Sequence, residues 1–241
     1  MTGRRWCPGD VRKTGEPMER AAPIRLSVRD QVRKALRAAI VGGELAPGSV
    51  HSAPALAGRY GVSATPVREA MQLLEREGAV EVLPNRGFRI CARTARDLAD
   101  LAEVRALLEV PVMLSLARTV PASRWAGLRP LADATVVAAA RGDRAAYAES
   151  DRRFHQALLE LSGNAQLVAV ADELHRRAQW PPAVGAETGA GSEPRAAARL
   201  RPGVLLADAT EHGVLLEALV AGDVGTVESL AREHFSGSAW R

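Results

Sequence analysis

The residues that most constrain this chain run Leu56-Ala57-Gly58-Arg59-Tyr60-Gly61-Val62-Ser63-Ala64-Thr65-Pro66-Val67-Arg68-Glu69-Ala70. Two short helical patterns meet at Gly61, which supplies the tight turn that lets two helices cross. Val62 is an apolar plug for the space between them. Ser63 is a natural N-cap, and Pro66 falls in the first turn, where backbone N–H groups have no helical partner to lose. A second helix that opens with hydroxyls and an arginine points a favourable end at phosphates and base edges. With its flanks, the stretch Val28 to Ile90 reads as a winged helix-turn-helix shaped for the major groove of DNA.

The flanks supply the rest of that unit. Val28, Val32, Leu36, Ala39 and Ile40 fall at helical spacing behind a capping Ser27, and Gly42-Gly43 ends the run. A short helix is expected over Pro54–Tyr60 and the recognition helix over Ala64–Glu77, stopped by Gly78. Val80–Leu83 and Phe88–Cys91 alternate as strands around Pro84-Asn85-Arg86-Gly87, a hairpin that makes the wing. Beyond Thr94 the pattern is helical throughout. Helices are expected near 95–119, 122–140, 143–162, 164–179, 203–221 and 224–236, punctuated by Pro121, Gly142, Gly163 and Gly222. A Gly-, Pro- and Ala-rich stretch over Pro181–Pro202 reads as a mobile loop. The fold class is therefore mainly α: a flexible N-terminal extension (1–25), a winged helix-turn-helix (26–93) and an antiparallel all-α bundle (94–241).

Charge is divided along the same boundary. Across 241 residues the formal charge is +4, but Met1–Arg93 holds 16 basic and 9 acidic residues, a balance of +7, whereas the remainder holds 16 and 19, a balance of −3. A basic front and a mildly acidic back fit a DNA-binding head on a body that does not touch DNA. The two cysteines, Cys7 and Cys91, support neither a disulfide framework nor a zinc knuckle, so a reducing cytoplasm is expected. No apolar run approaches a membrane span, and Arg4-Arg5 precede no secretory core.

The head resembles the winged helix-turn-helix of the GntR transcription regulators. The residues that carry the likeness are Ile40 through Gly48, Leu56-Ala57, Gly61-Val62-Ser63, Thr65 through Ala70, Leu73 through Gly78 and Pro84 through Gly87. The helical part resembles the FCD ligand-binding domain of the FadR subfamily, through Arg105 to Glu109, Asp151 to His155, Gly163-Asn164, Glu211-His212 and Glu233-His234. The resemblance implies a homodimeric, ligand-responsive regulator of a metabolic operon, with a double-stranded DNA operator, a small carboxylate metabolite as effector and repression as the expected sense. It implies no enzyme. A metal-dependent hydrolase and a constitutive DNA-binding dimer with a structural metal are the competing readings.

Positions matching the family's operator contacts are Ser63, Thr65 and Arg68, with Arg59 and the wing's Asn85, Arg86 and Gly87 as supporting contacts. Hydroxyls suit phosphate oxygens or base edges, and arginine pairs bidentately with guanine. Ser63 has capping as a second role. Arg68 has no acid four residues away on either side. Lys34 and Arg37 are either further backbone contacts or solvated charge. The chain departs from the family at Ala64, where an arginine is usual, and near Pro54. Ala64 is expected to offer its methyl to a thymine instead.

In the helical part, Asp151 and His155 share one face of a helix. A hairpin turning at Gly222-Asp223 returns His234 to the level of His212, so one Asp and three His can converge inside the bundle. Such a set suits zinc, nickel or another divalent first-row ion, and the matching positions of metal-binding FCD proteins do hold metal. Arg105 is expected either to anchor an effector carboxylate or to pair with Glu109 four residues on. Asn164 is expected either to line the cavity or, preferably, to cap the helix after Gly163. His51 and His175 match no motif and read as structural or exposed.

Overall fold

The computed structural model describes residues 26–182 and 202–236. The expected extension over 1–25, Cys7 and most of the stretch after Pro181 lie outside the described residues.

The head is built from α1 (Val28–Val41), α2 (Ala53–Tyr60), α3 (Ala64–Arg76) and three short strands, β1 (Val50–His51), β2 (Val80–Leu83) and β3 (Gly87–Ile90). The strands form an antiparallel sheet in the order β1-β3-β2, with Val82 opposite Phe88 and Val50 opposite Arg89. β1 is too short for its alternation to show in sequence. The helix-turn-helix forms as its residues dictate: Gly61 ends α2 in the left-handed conformation, at φ 65°, and its N–H closes onto the Ala57 carbonyl. Leu36, Ile40, Leu56, Val67, Met71, Leu74 and Ile90 make the core. Val28, expected inside, is exposed at the first turn of α1.

The body is an all-helical bundle of α4 (Ala95–Thr119), α5 (Ala122–Ala126), α6 (Arg129–Ala140), α7 (Arg144–Glu160), α8 (Ala165–Ala178), α9 (Pro202–Ala221) and α10 (Val224–Ser236). Thr94 and Asp97 close a reciprocal capping box at the start of α4. The single helix expected over 122–140 is two, parted at Gly127-Leu128, with Pro130 in the first turn of the second, where it costs no helical hydrogen bond. α4 packs on α10 and α8, and α7 on α6 and α8. Phe154 and Leu158 of α7 sit fully buried among Met113, Trp125, Leu216 and Phe235.

Head and body meet through the C-terminal end of α8. Trp180, just beyond it, is 1% exposed and belongs to the head's core, not the body's. Its indole Nε1–H donates to the Glu77 carbonyl at 3.2 Å, at the C-cap of α3. Arg37 lies 4.3 Å over the Trp180 ring, pairs with Glu77 at 2.8 Å and donates to the Arg176 carbonyl at 3.3 Å. Arg37 is thus a residue of the seam, and the expectation that it meets DNA or solvent is corrected: burial pulls its guanidinium down to about 10.

Candidate functional site

On the head, Ser63, Thr65 and Arg68 are all exposed at the start of α3. Ser63 occupies the N-cap position with extended backbone, but its hydroxyl makes no capping hydrogen bond. The capping role is therefore not filled, and the hydroxyl faces outward at the positive end of a helix dipole. Thr65 and Arg68, three apart, share that side. Ala64 is half-buried against the head's core, which withdraws much of its methyl from the groove and does not favour the thymine contact. Arg59 is exposed but already pairs with Glu44.

At the wing, Asn85 takes φ 60° after Pro84, and the Arg86 N–H closes the turn onto the Leu83 carbonyl at 3.0 Å. Asn85 and Arg86 project from its tip, exposed. Gly87 does something different. At φ 111°, a Cβ there would lie 2.3 Å from the His51 carbonyl oxygen, so its lack of a side chain lets β3 lie against β1.

Inside the body, α7, α9 and α10 bring His155, His212 and His234 together, with one nitrogen of each within 4.8 Å of the others. His155 Nε2 is 3.2 Å from His234 Nε2. Asp151 Oδ1 completes the set at 3.5 Å from His155 Nε2 and 3.2 Å from His212 Nε2. His212 Nε2 is buried and has no well-formed hydrogen bond. The hairpin at Gly222-Asp223 does return His234 to His212; their ring centroids are 5.5 Å apart.

Each member of the set has a polar group behind it. His212 Nδ1 meets the Thr135 hydroxyl at 3.1 Å, and His234 Nδ1 meets Glu211 Oε2 at 3.1 Å. His155 Nδ1 faces Glu109 Oε2 at 3.6 Å. His175 Nε2 meets the second oxygen of Asp151 at 2.8 Å, while its Nδ1 accepts from Arg105 at 2.8 Å. An arginine cannot accept, so Nδ1 is the bare nitrogen and Nε2–H donates to Asp151. This corrects the expectation for His175: it is 3% exposed on its side chain and part of the cluster. Its signal was its place on the helix that crosses α7, which local spacing does not reveal. His51 lies in the head, on Ser49 Oγ at 2.7 Å.

Burial dominates the electrostatics. It drives the His155 imidazole down to about 3, and it lowers His175 with help from Arg105. Burial opposes ionisation of Glu109, yet Arg105 and His155 hold its carboxyl at about 2. Asp151 likewise stays well below the usual range through its imidazole neighbours, against the pull of burial. The cluster thus offers a neutral imidazole at His155 and a charged carboxylate at Asp151, protonation states that suit a divalent ion. An orphaned buried nitrogen and four converging donors fit such an ion.

Arg105 pairs with Glu109 at 2.8 Å as well as holding His175, so the intrahelical pair is realised, although the residue also lines a cavity beside the cluster. Asn164 is exposed, away from that cavity. Its Oδ1 accepts from the Gln166 and Leu167 N–H groups, so it caps α8, and the effector role is corrected.

A winged helix-turn-helix seated on a helical bundle with an internal donor cluster defines a DNA-binding regulator with a sensing domain. The chain belongs to the GntR family of bacterial regulatory proteins: residues 28–90 match that family's DNA-binding region and residues 100–237 match the FCD domain, the architecture of the FadR subfamily. A transcriptional regulator from the TAR-I ttuE-ttuC' intergenic region of Agrobacterium vitis is 36% identical over 155 residues, which span 62% of this chain and 91% of that one. A probable D-xylose utilization operon repressor of Paenarthrobacter nicotinovorans is 27% identical over 215 residues, 87% of this chain and 86% of its own length. The fold matches Escherichia coli McbR/YncC with a TM-score of 0.66 at 24% identity, covering 88% of this chain and 94% of that one. The chain is a ligand-responsive DNA-binding transcription regulator, in a family of regulators and not of enzymes. Among the described residues, no helix is long and apolar enough to cross a membrane.

Proposed function

We propose that this regulator is a homodimeric repressor whose grip on DNA is set by a small carboxylate bound at a divalent metal ion in the body. The observation that carries the reading is the convergence of His155, His212, His234 and Asp151, each with its rear atom facing a separate group. These four would hold zinc or nickel, which when bound supplies a concentrated positive charge for carboxylate oxygens. Arg105, committed to Glu109 and His175, orients the site and does not anchor the effector.

Ser63, Thr65 and Arg68 read the operator, and Asn85 and Arg86 hold the adjoining backbone. Arg59 adds a backbone contact if Glu44 releases it. Pairing of two copies is supported by an apolar stripe along α4, where Val104 is 47% and Leu107 72% exposed and Pro111 follows one turn on. Two heads then address the half-sites of a pseudo-palindrome. Effector binding favours a head arrangement that cannot span them.

The test is metal analysis of the purified protein together with fluorescence anisotropy on its own upstream region. The reading expects near one metal per chain, a dimer by light scattering and salt-sensitive, site-specific binding. Absence of bound metal after purification with and without added zinc would remove the metal from the proposal.

A further inference from the structure

The two oxygens of Asp151 have different neighbours. Oδ1 lies among the imidazoles, 3.5 Å from His155 Nε2 and 3.2 Å from His212 Nε2. Oδ2 accepts from His175 Nε2–H at 2.8 Å. His175 stands on α8, across from the α7 helix that carries Asp151, and belongs to none of the motifs through which the chain resembles its family.

The contacts continue behind His175. Its Nδ1 accepts from Arg105 Nη2 at 2.8 Å. Arg105 is itself fixed, by donation from Nε to Glu109 Oε1 at 2.8 Å and by Phe235, whose ring centre lies 5.0 Å from the guanidinium carbon. Arg105, Glu109 and His175 are all buried. A guanidinium has donors and no acceptor, so the imidazole held between it and a carboxylate is left one neutral tautomer, bare at Nδ1 and protonated at Nε2. The proton that binds Oδ2 is therefore fixed from α4, through α8, onto α7.

We propose that His175 determines which metal ion the body takes: by holding Oδ2, it leaves Asp151 to offer the single oxygen Oδ1 beside the nitrogens of His155, His212 and His234. This rests on the metal reading above and adds the basis of its selectivity. A nitrogen-rich set with one carboxylate oxygen suits zinc, whereas manganese is better served by oxygen-rich sets. With Oδ2 released, Asp151 can offer both oxygens, and the preference for zinc narrows.

The experiment strips full-length protein of metal and titrates it with zinc and with manganese against a chromophoric chelator, for wild type, His175→Leu and His175→Gln. His175→Leu removes both the acceptor and the donor. It should lower zinc affinity by roughly 10- to 100-fold and manganese affinity far less, so that the zinc-to-manganese ratio falls by at least about tenfold. His175→Gln should restore the ratio, because an amide can accept from Arg105 through its oxygen and donate to Asp151 through its nitrogen. A histidine that served only to fill space would lower both affinities alike. Nitrogen NMR of the zinc-loaded wild type needs no variant: the three ligand imidazoles should show zinc-shifted Nε2 signals, and His175 should keep its proton on Nε2. Equal losses for the two ions in His175→Leu, failure of His175→Gln to restore the ratio, or a zinc-shifted His175 overturns the inference and leaves the metal reading standing. A wild-type protein that binds no zinc overturns both.

Discussion

At the N-cap of α3, Ser63 has the side chain of a cap and none of its bonding. Replacing a bonded N-cap serine by alanine usually removes about 1 kcal/mol. Ser63→Ala should instead leave stability within about 0.5 kcal/mol while weakening duplex binding, measured by urea denaturation and anisotropy on the same preparation. Asn164→Ala is the opposite case. Its two N–H bonds are real, so it should lose about 1 kcal/mol and leave ligand response unchanged. His175 acts through another residue. It orients Asp151 from one nitrogen and is itself held by Arg105 through the other. Groups placed this way behind a metal ligand are commonly worth 10- to 100-fold in affinity, roughly the loss expected for His175→Ala. His155→Ala should remove stoichiometric binding. Chelator competition distinguishes the two, and wild-type affinity in the His175 variant would deny it a positioning role.

On the proposed reading the elements carry different kinds of DNA contact, and salt would separate them. If Arg68, exposed on α3, reads a base edge as proposed, Arg68→Ala should relax discrimination at one operator position by about 1–3 kcal/mol. If Arg86, exposed at the wing tip, holds phosphate as proposed, Arg86→Ala should weaken all duplexes alike and reduce the salt slope by about one unit. Anisotropy against matched and mutated duplexes at several salt concentrations reads both. These elements were legible because their signals are local: a glycine between two helical patterns, a proline in a first turn, a Pro-Asn-Arg-Gly hairpin. The convergence of Asp151, His155, His212 and His234 was legible too, since a four-residue spacing on α7 and a symmetric turn between α9 and α10 are readable in one dimension. His175 and Trp180 were not. Each acts across elements far apart in sequence, His175 on α7 and α4, and Trp180 on the head. No periodicity records which helix crosses which. Pro130 marks the first turn of α6, but a proline alone does not fix a break, since α4 runs through Pro111.

Over the whole molecule, buried titratable groups and the head–body seam belong to one system. The folded chain keeps His155 neutral down to about 3, whereas the unfolded imidazole titrates near 6.5. Below pH 6.5 the unfolded state takes up a proton that the folded state refuses, so this stability is present above 6.5 and lost as pH falls towards 3. Glu109 acts in the same sense between 4.5 and about 2. Melting of metal-free protein should therefore come earlier at pH 5 than at pH 7. Bound metal should raise the melting temperature at pH 7, and added chelator should reverse this. The same cluster reaches the head along α8, since His175 holds Asp151 at one point of the helix and Trp180 holds Glu77 just past its end. On the proposed reading, a shift of Asp151 on metal loading would be passed to α8, whose extension supports the end of the recognition helix. Trp180→Ala would empty a buried site and destabilise by about 3–5 kcal/mol, confusing coupling with unfolding. Trp180→Phe keeps most of the volume and an aromatic face for Arg37 while deleting the donor to the Glu77 carbonyl. It should fold, bind zinc as before and lose the difference in duplex affinity between zinc-loaded and chelated protein. Linkage requires the reciprocal effect, so duplex should change zinc affinity by the same factor in the wild type and by none in the variant. An unaltered ratio in Trp180→Phe would mean that the signal crosses the seam elsewhere, through the Arg37–Glu77 pair or the Arg93–Pro181 backbone bond.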